Sequence, residues 1–347
     1  MTQGVHTGLV LIGRNEEQRL ESVLSSVTAY LPHVVYVDSG STDRSLQMAQ
    51  AAGLITHALS AERPFSAARA RNEGASVLLK RFEHLKFIQF LDGDSELAQG
   101  WVESAEQYMS KNPDVGVLCG RVGEISPHGS IYNRIAELEW QQISPGTVRS
   151  CGGNRFVDVE AFSKVGGYDE RMVAGEDPEL CYRMRQAGYR SVALSESMAI
   201  HDMDMTRFFD WWKRSVRTGV GNELGFRIHG RGPERFRLRQ VSRAWIWGLT
   251  VPVLALFGSA VLHPSFLLIL AVYPLRIIRV AFRGQMRGLD NWRFAALVVL
   301  ANFAEMVGQL KALFHDVSRT QDAVPRAPQS QNEGHASPRS RGKPMIE

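Results

Sequence analysis

Cysteine is nearly absent from this chain: Cys119, Cys151 and Cys181 are the three in 347 residues. An odd number so widely spaced draws neither a disulfide framework nor a C-x-x-C metal site, and reduced thiols are the default. An excess of charge of one sign is missing too. Forty Lys and Arg against 36 Asp and Glu leave a formal net charge of +4. That is too little for a uniformly basic face, so a dedicated nucleic-acid binder is excluded and no nucleic-acid partner is expected. The opening MTQGVHTGLVLIGRNEE lacks a basic n-region and a long apolar core, which predicts no signal peptide and a cytoplasmic catalytic part. Apolar residues are not scarce: 44% hydrophobic with 22% charged is a globular balance that excludes wholesale disorder. At ~150 residues per domain, the length predicts about two domains or one large domain with an appendage.

Residues 1–225 alternate short apolar runs with helical patterns. Residues 8–12, 34–37, 54–56, 86–91 and 115–118 read as buried strands. Between them, 15–30 places Leu20, Val23, Leu24 and Val27 on one helical stripe, and 66–81 and 97–110 also suit helices. Such alternation predicts an α/β domain with a mainly parallel sheet and helices on both faces. Ligands of such sheets sit beyond the carboxyl ends of the strands.

The character changes after 225. A basic linker, 226–243, carries Arg227, Arg231, Arg235, Arg237, Arg239 and Arg243. Residues 244–275 then contain no Asp, Glu, Lys or Arg. That run is longer than the ~20 residues one membrane crossing needs. His263-Pro264 divides it, and arginines flank both ends. A buried hairpin of a soluble protein is the plain alternative; the flanking arginines favour a bilayer with both ends cytoplasmic. The stretch 294–314 is apolar but holds Glu305 and Lys311, so it suits an interface or a bundle. Membrane-associated helices are therefore expected over 244–314, and a disordered polar tail over 315–347.

Acids stand where strands end: Glu16-Glu17 after GLVLIGRN, Asp38 after VVYV, Asp92 and Asp94 after FIQFL, and Glu176-Asp177 in AGEDPEL. Taken singly, each reads equally well as a turn or cap residue. Asp-x-Asp alone is weak, because Asp202-Met203-Asp204 repeats it. The joint arrangement is more specific. LVLIGRNEEQRLESVL, VVYVDSGSTDRSLQMAQ, ARARNEGA, FLDGDSEL and GGYDERMVAGEDPELCYRMRQAGYR, in this order over about 8–202, resemble the motifs of glycosyltransferase family 2. The likeness is to bacterial membrane-associated members, with the GT-A fold and a nucleotide-sugar donor.

The resemblance assigns roles. Asp38 would accept the imide N–H of a uracil-like base, Arg14 and Glu16 would line the nucleoside pocket, and Arg71 would close it. Asp92 would lie on the nucleotide and Asp94 on a divalent cation, Mg²⁺ or Mn²⁺, bridging the diphosphate. His201 matches a histidine that ligates the metal in some members; a lone histidine at a strand end is otherwise structural. Asp177 would be the general base that activates the acceptor hydroxyl, with Glu176 orienting the acceptor. Both could also cap the helix starting near Pro178.

One departure is informative. Processive synthases of the family carry Gln-x-x-Arg-Trp after the base, and neither WWKRSVRTG at 211–219 nor QVSRAW at 240–245 matches it. Trp211 and Trp212 could stack on an acceptor sugar or anchor at a membrane surface. The expected function is inverting transfer of one sugar, most commonly from a UDP-sugar, to a glycan or lipid-linked acceptor in polysaccharide biosynthesis. The expected place is the inner membrane, with the catalytic domain cytoplasmic. The alternatives are a processive polysaccharide synthase and a non-catalytic nucleotide-sugar-binding scaffold; the intact acids oppose the latter.

Overall fold

The computed structural model describes residues 6–315 except 285 and 287. From residue 316 onward, the tail expected over 315–347 lies outside the described residues. The strands are β1 (Thr7–Gly13), β2 (Val34–Asp38), β3 (Ile55–Ala58), β4 (Phe87–Asp92), β5 (Ser95–Leu97), β6 (Val115–Glu124), β7 (Gly146–Val148), β8 (Arg155–Asp158) and β9 (Arg190–His201). They form one sheet in the order β3-β2-β1-β4-β8-β6-β9-β5, with β7 beside β9. The helices of this part are α1 (Glu17–Val27), α2 (Ser45–Ala51), α3 (Ala67–Arg81), α4 (Trp101–Lys111), α5 (Ile131–Gln141), α6 (Val159–Lys164), α7 (Glu176–Gln186) and α8 (Phe208–His229).

The first four strands are parallel in the order β3-β2-β1-β4. β1, β2 and β4 are covered on both faces, so their sequences are near-continuous apolar runs, whereas the edge strand β3 is only partly buried; Leu9, Val10, Leu11, Val35 and Tyr36 are wholly buried. The stripe of α1 packs as its period requires, with Leu20, Val23, Leu24 and Val27 all buried. Beyond β4 the sheet is mixed. β6 and β9 run parallel, but β8 enters antiparallel between β4 and β6, and β5 and β7 run antiparallel to β9. A crossover helix keeps neighbouring strands parallel, whereas β8 is reached by a loop and is free to reverse. The registers Gly13↔Asp38 and Ile12↔Asp92 bring three acid-bearing strand ends to one edge.

The three cysteines, scattered in sequence, are buried together: Cys151 N–H points to Cys181 Sγ at 3.5 Å, and hydrogen bonding to Cys119 pushes the Cys151 thiol well up. Thiols held in that state are poor nucleophiles.

Among the described residues, three helices are long and apolar enough to cross a membrane: Leu238–Val261, Pro264–Ala281 and Gly288–Leu313. The first two, joined at His263-Pro264, leave large side chains uncovered, such as Phe257 at 65% and Leu268 at 75%. The third is half-buried, because α8 lies along it with the backbones in contact. A Cβ on Gly219 would fall 2.1 Å from the Glu305 carbonyl, and one on Gly308 would fall 2.0 Å from that of Val216. The charge inside this helix is compensated by Arg243, whose Nη2 donates to Glu305 at 2.7 Å. α8 runs unbroken across position 225, and Trp211 fills a core with Ile135, Phe294 and Leu297. Trp212 packs against the same cluster.

Candidate active site

The edge loops are fixed by local chemistry. Asn15 takes the left-handed conformation (φ 59°) that asparagine tolerates. Its Oδ1 accepts from Thr42 N–H at 2.8 Å, and its own N–H donates to Ser41 Oγ at 2.9 Å. Glu16 is thereby turned back over β1. Burial, with Asp94 adding to it, pushes the Glu16 carboxyl up to about 7. Asp38 is buried at the end of β2; its Oδ2 accepts from Gly40 N–H at 3.0 Å and Ser41 N–H at 2.9 Å, while Oδ1 is buried without a partner. Gly40 (φ 80°) lies against Phe65, where a Cβ would come within 2.9 Å of the ring. The exposed Arg14 guanidinium sits 5.5 Å from the centre of that ring.

At the end of β4, the Asp92 N–H donates to Asn154 Oδ1 at 2.9 Å, and Asn154 Nδ2 donates to Ser95 Oγ at 2.9 Å. Gly153 is needed here: a Cβ would stand 2.5 Å from Asp92 Oδ2. The antiparallel register Ser95↔His201 carries the histidine from the end of β9 to the Asp-x-Asp turn. His201 Nε2 lies 3.3 Å from Asp94 Oδ1, and its Nδ1 is buried without a partner. One ligand atom from each of Asp92, Asp94 and His201 falls within 4.8 Å of the other two. Two carboxylates and an imidazole with spare lone pairs fit a divalent cation. A cavity of about 190 Å³ opens beside Asp92 and His201, walled by Trp140, Ile143 and Gly152. The Trp140 and His201 rings are 5.1 Å apart.

Glu176 and Asp177 open α7 after Gly175, whose left-handed φ of 72° suits glycine. Gly221 of α8 is pressed on this turn: a Cβ there would be 2.8 Å from the Ala174 carbonyl. Arg71, only 2% exposed, reaches from α3 into the acids. Its Nη2 donates to Asp92 at 2.7 Å, and Nη1 donates to Glu176 at 2.8 Å and Asp177 at 3.4 Å. Its bonds thus tie the Asp-x-Asp turn to the acid pair, away from the Asp38 loop. Arg155 of β8, fully buried, pairs with the Asp177 carboxylate and donates to its carbonyl at 3.2 Å. The Tyr168 ring lies 5.4 Å from Arg71 and 5.6 Å from Arg155.

Burial and coulombic attraction pull these acids apart. Burial pushes Asp177 up to about 6, against the pull of Arg155 and Arg71. Burial likewise raises Asp94. For Asp92 burial acts upward, but Arg71 and His201 prevail and hold it below the usual carboxylate range. The site thus presents carboxyls of differing proton affinity around one cleft, as acid–base chemistry requires.

The structure therefore gathers Asp92, Asp94, His201, Arg71, Glu176 and Asp177 into one cluster, reaches Glu16 through Asp94, and leaves Asp38 and Arg14 as a separate wall with Phe65. Sequence reading missed Arg155, Asn154, Trp140 and Phe65. The signal for Arg155 was an arginine heading the apolar run FV, in a strand too short to stand out. Asp202 and Asp204, the competing Asp-x-Asp, are occupied by Arg19: Nε donates to Asp202 at 2.9 Å and Nη2 to Asp204 at 3.0 Å.

Residues 9–166 match Glycosyl transferase family 2. A pre-mycofactocin glycosyltransferase of Mycobacterium tuberculosis is 28% identical over 162 residues, 44% of this chain and 33% of that protein. The chain thus spans about a third of the length of the curated relative it matches. A mannosyltransferase from Pyrobaculum calidifontis, solved with GDP-Man and Mn²⁺, shares the fold at TM-score 0.57 and 16% identity, over 88% of this chain and 87% of that one. Strand-end acids, sheet order and the family match agree: residues 9–166 match glycosyltransferase family 2, and the chain has the fold of a GT-A glycosyltransferase.

Proposed function

We propose that this enzyme transfers one sugar, with inversion, from a nucleoside diphosphate sugar to a hydroxyl of a glycan or lipid-linked acceptor. The observation that carries this reading is the Arg71 bridge, which holds the Asp92 turn and the Asp177 carboxylate around one cleft. The unpartnered Oδ1 of Asp38 could accept the N–H of a nucleobase such as the imide of uracil, and a UDP-sugar is the donor this reading takes. Asp92, Asp94 and His201 would hold Mg²⁺ or Mn²⁺. A cation bound there would supply positive charge against the negative charge growing on the leaving diphosphate. Asp177 takes the proton of the acceptor hydroxyl as its oxygen bonds to the anomeric carbon. The bond from that carbon to the diphosphate breaks, and the nucleoside diphosphate departs with the electron pair. Attack on the face opposite the leaving group inverts the centre. Arg155 and Arg71 hold Asp177 in place, and Glu176, anchored on Arg71, orients the acceptor.

The proposed division is a catalytic part over 1–225, a basic linker over 226–243 and membrane-associated helices over 244–314, although α8 continues to His229 and the first apolar helix starts at Leu238. The helices would hold the enzyme in the inner membrane, with the active site on the cytoplasmic side. The test of the reaction is a panel of nucleotide sugars incubated with detergent-purified full-length protein. Metal-dependent hydrolysis of one of them is expected, and no turnover of any donor overturns the reading. Full-length protein should stay with membranes in high salt, which releases electrostatic contacts; release by salt refutes the integral placement.

A further inference from the structure

A second cavity, of about 550 Å³, opens where α8 gives way to the first apolar helix. Arg149, Arg185, Arg235, Arg237 and Arg239 line it, with Glu234 as the one acid. That carboxylate is already shared: Arg149 Nη2 reaches it at 2.7 Å and Arg185 Nη2 at 2.9 Å. The guanidiniums of Arg235, Arg237 and Arg239 have no hydrogen-bond or ion-pair partner among the described residues. Arg237 is half-buried, and burial pulls its pKa down, so it stands to gain from an anion. Arg235 and Arg237 also take left-handed backbone, φ 47° and 63°, which non-glycine residues seldom adopt. Arg235 and Arg239 are exposed and the Arg237 guanidinium lies 5.1 Å from the centre of the Phe236 ring, so the concave wall carries more cationic charge than Glu234 can balance.

Two neighbours say what kind of anion. Pro178 lines the cavity and follows Asp177 directly. Leu238, also in the wall, begins the candidate membrane span Leu238–Val261. The cavity wall therefore runs from the residue after the proposed base to the first residue of that span, which suits an anionic ligand that also has an apolar part. Three unpaired guanidiniums outmatch the single charge of a phosphodiester lipid. They better suit a terminal phosphate, at about −1.5 to −2, or a diphosphate.

We propose that this cavity binds the phosphate or diphosphate of a lipid-borne acceptor and thereby presents the acceptor to Asp177. The proposal rests on the transfer reaction above and names its acceptor class.

The test uses full-length protein in neutral detergent and native mass spectrometry to measure retention of a long-chain prenyl phosphate against phosphatidylglycerol. Inorganic pyrophosphate serves as the lipid-free probe. Mn²⁺-dependent UDP binding is measured on the same samples. Prenyl phosphate should be retained in preference, Arg237→Gln and Arg235→Gln should each weaken it about tenfold, and Arg237→Lys should restore much of it. Equal retention of phosphatidylglycerol overturns the proposal in favour of a general headgroup contact. Pyrophosphate binding as tightly as the lipid overturns it in favour of a soluble phosphate compound. Failure of UDP binding by the unsubstituted chain indicts the transfer reading instead, whereas UDP binding with no prenyl phosphate selectivity refutes the cavity alone.

Discussion

Two clusters of carboxylate and imidazole occur among the described residues, and they differ in how many ligand atoms the protein itself has already engaged. Asp92, Asp94 and His201 form the first; Asp169, Glu179 and His229 form the second, and each set brings its ligand atoms within 4.8 Å. The second set is spent within the protein. Asp169 accepts from Arg171 Nη2 at 2.6 Å and Nε at 2.9 Å. Glu179, fully buried, accepts from Arg183 at 2.6 and 2.7 Å and meets His229 Nε2 at 2.8 Å. In the first set, Arg71 engages one oxygen of Asp92, no arginine bonds Asp94 among the described residues, and Nδ1 of His201 is unpartnered. Proximity of acids is therefore a poor guide to a metal site; what matters is the lone pairs left over after the arginines have taken theirs.

The contrast can be broken from either side. Asp94→Ala, in the open cluster, should abolish turnover and remove the Mn²⁺ dependence of nucleotide binding. Equal transfer in excess chelator would refute the difference between the clusters. Asp177→Asn keeps the shape but cannot accept a proton, so transfer should fall ~10²-fold or more with donor affinity little changed. Collapse of donor binding with near-normal turnover would make Asp177 a structural cap. In the closed cluster, Glu179→Gln leaves Arg183 and His229 short of their charge partner. Breaking a buried pair costs about 3 kcal/mol, so thermal denaturation should shift down while metal dependence stays intact. An altered metal response there would show that both clusters bind cations.

The smallest expected effect is on pH. The folded-state pKa of Asp177, about 6, lies above its ordinary value of 3.8. Between those values the folded chain keeps a proton that the unfolded chain has lost, so this group's contribution to stability falls as pH rises. Activity should run the other way, because Asp177, as the proposed base, works only when ionised: kcat/KM should rise through about pH 6. Profiles of kcat/KM and Tm measured together should show opposite slopes across this window, and Asp177→Asn should flatten its share of both. Parallel slopes would contradict the assignment.

Much of the outer plan was legible in the chain, and the reasons are local. Apolar runs marked β1, β2 and β4, because strands covered on both faces leave no polar alternation to read. The stripe Leu20, Val23, Leu24, Val27 marked α1, because a 3.6-residue period is written in consecutive positions. The unbroken lack of charge over 244–275 marked the paired apolar helices in the same way. β8 escaped notice because a short strand headed by a charged residue carries no periodic signal.

What the sequence determined by itself was the set of elements and the order of the acids along them, since both depend on near neighbours in the chain. The tertiary structure alone decided which of those acids are free. The β5–β9 register brings His201 to Asp94, Arg71 and Arg155 arrive from α3 and β8 to share Asp177, and Arg19 removes Asp202 and Asp204 from contention. The same long-range packing sets five arginines from α7, two loops and the first apolar helix around one cavity. Each of these turns on which distant strands and helices meet, and a buried charge takes its role from the partner that meets it.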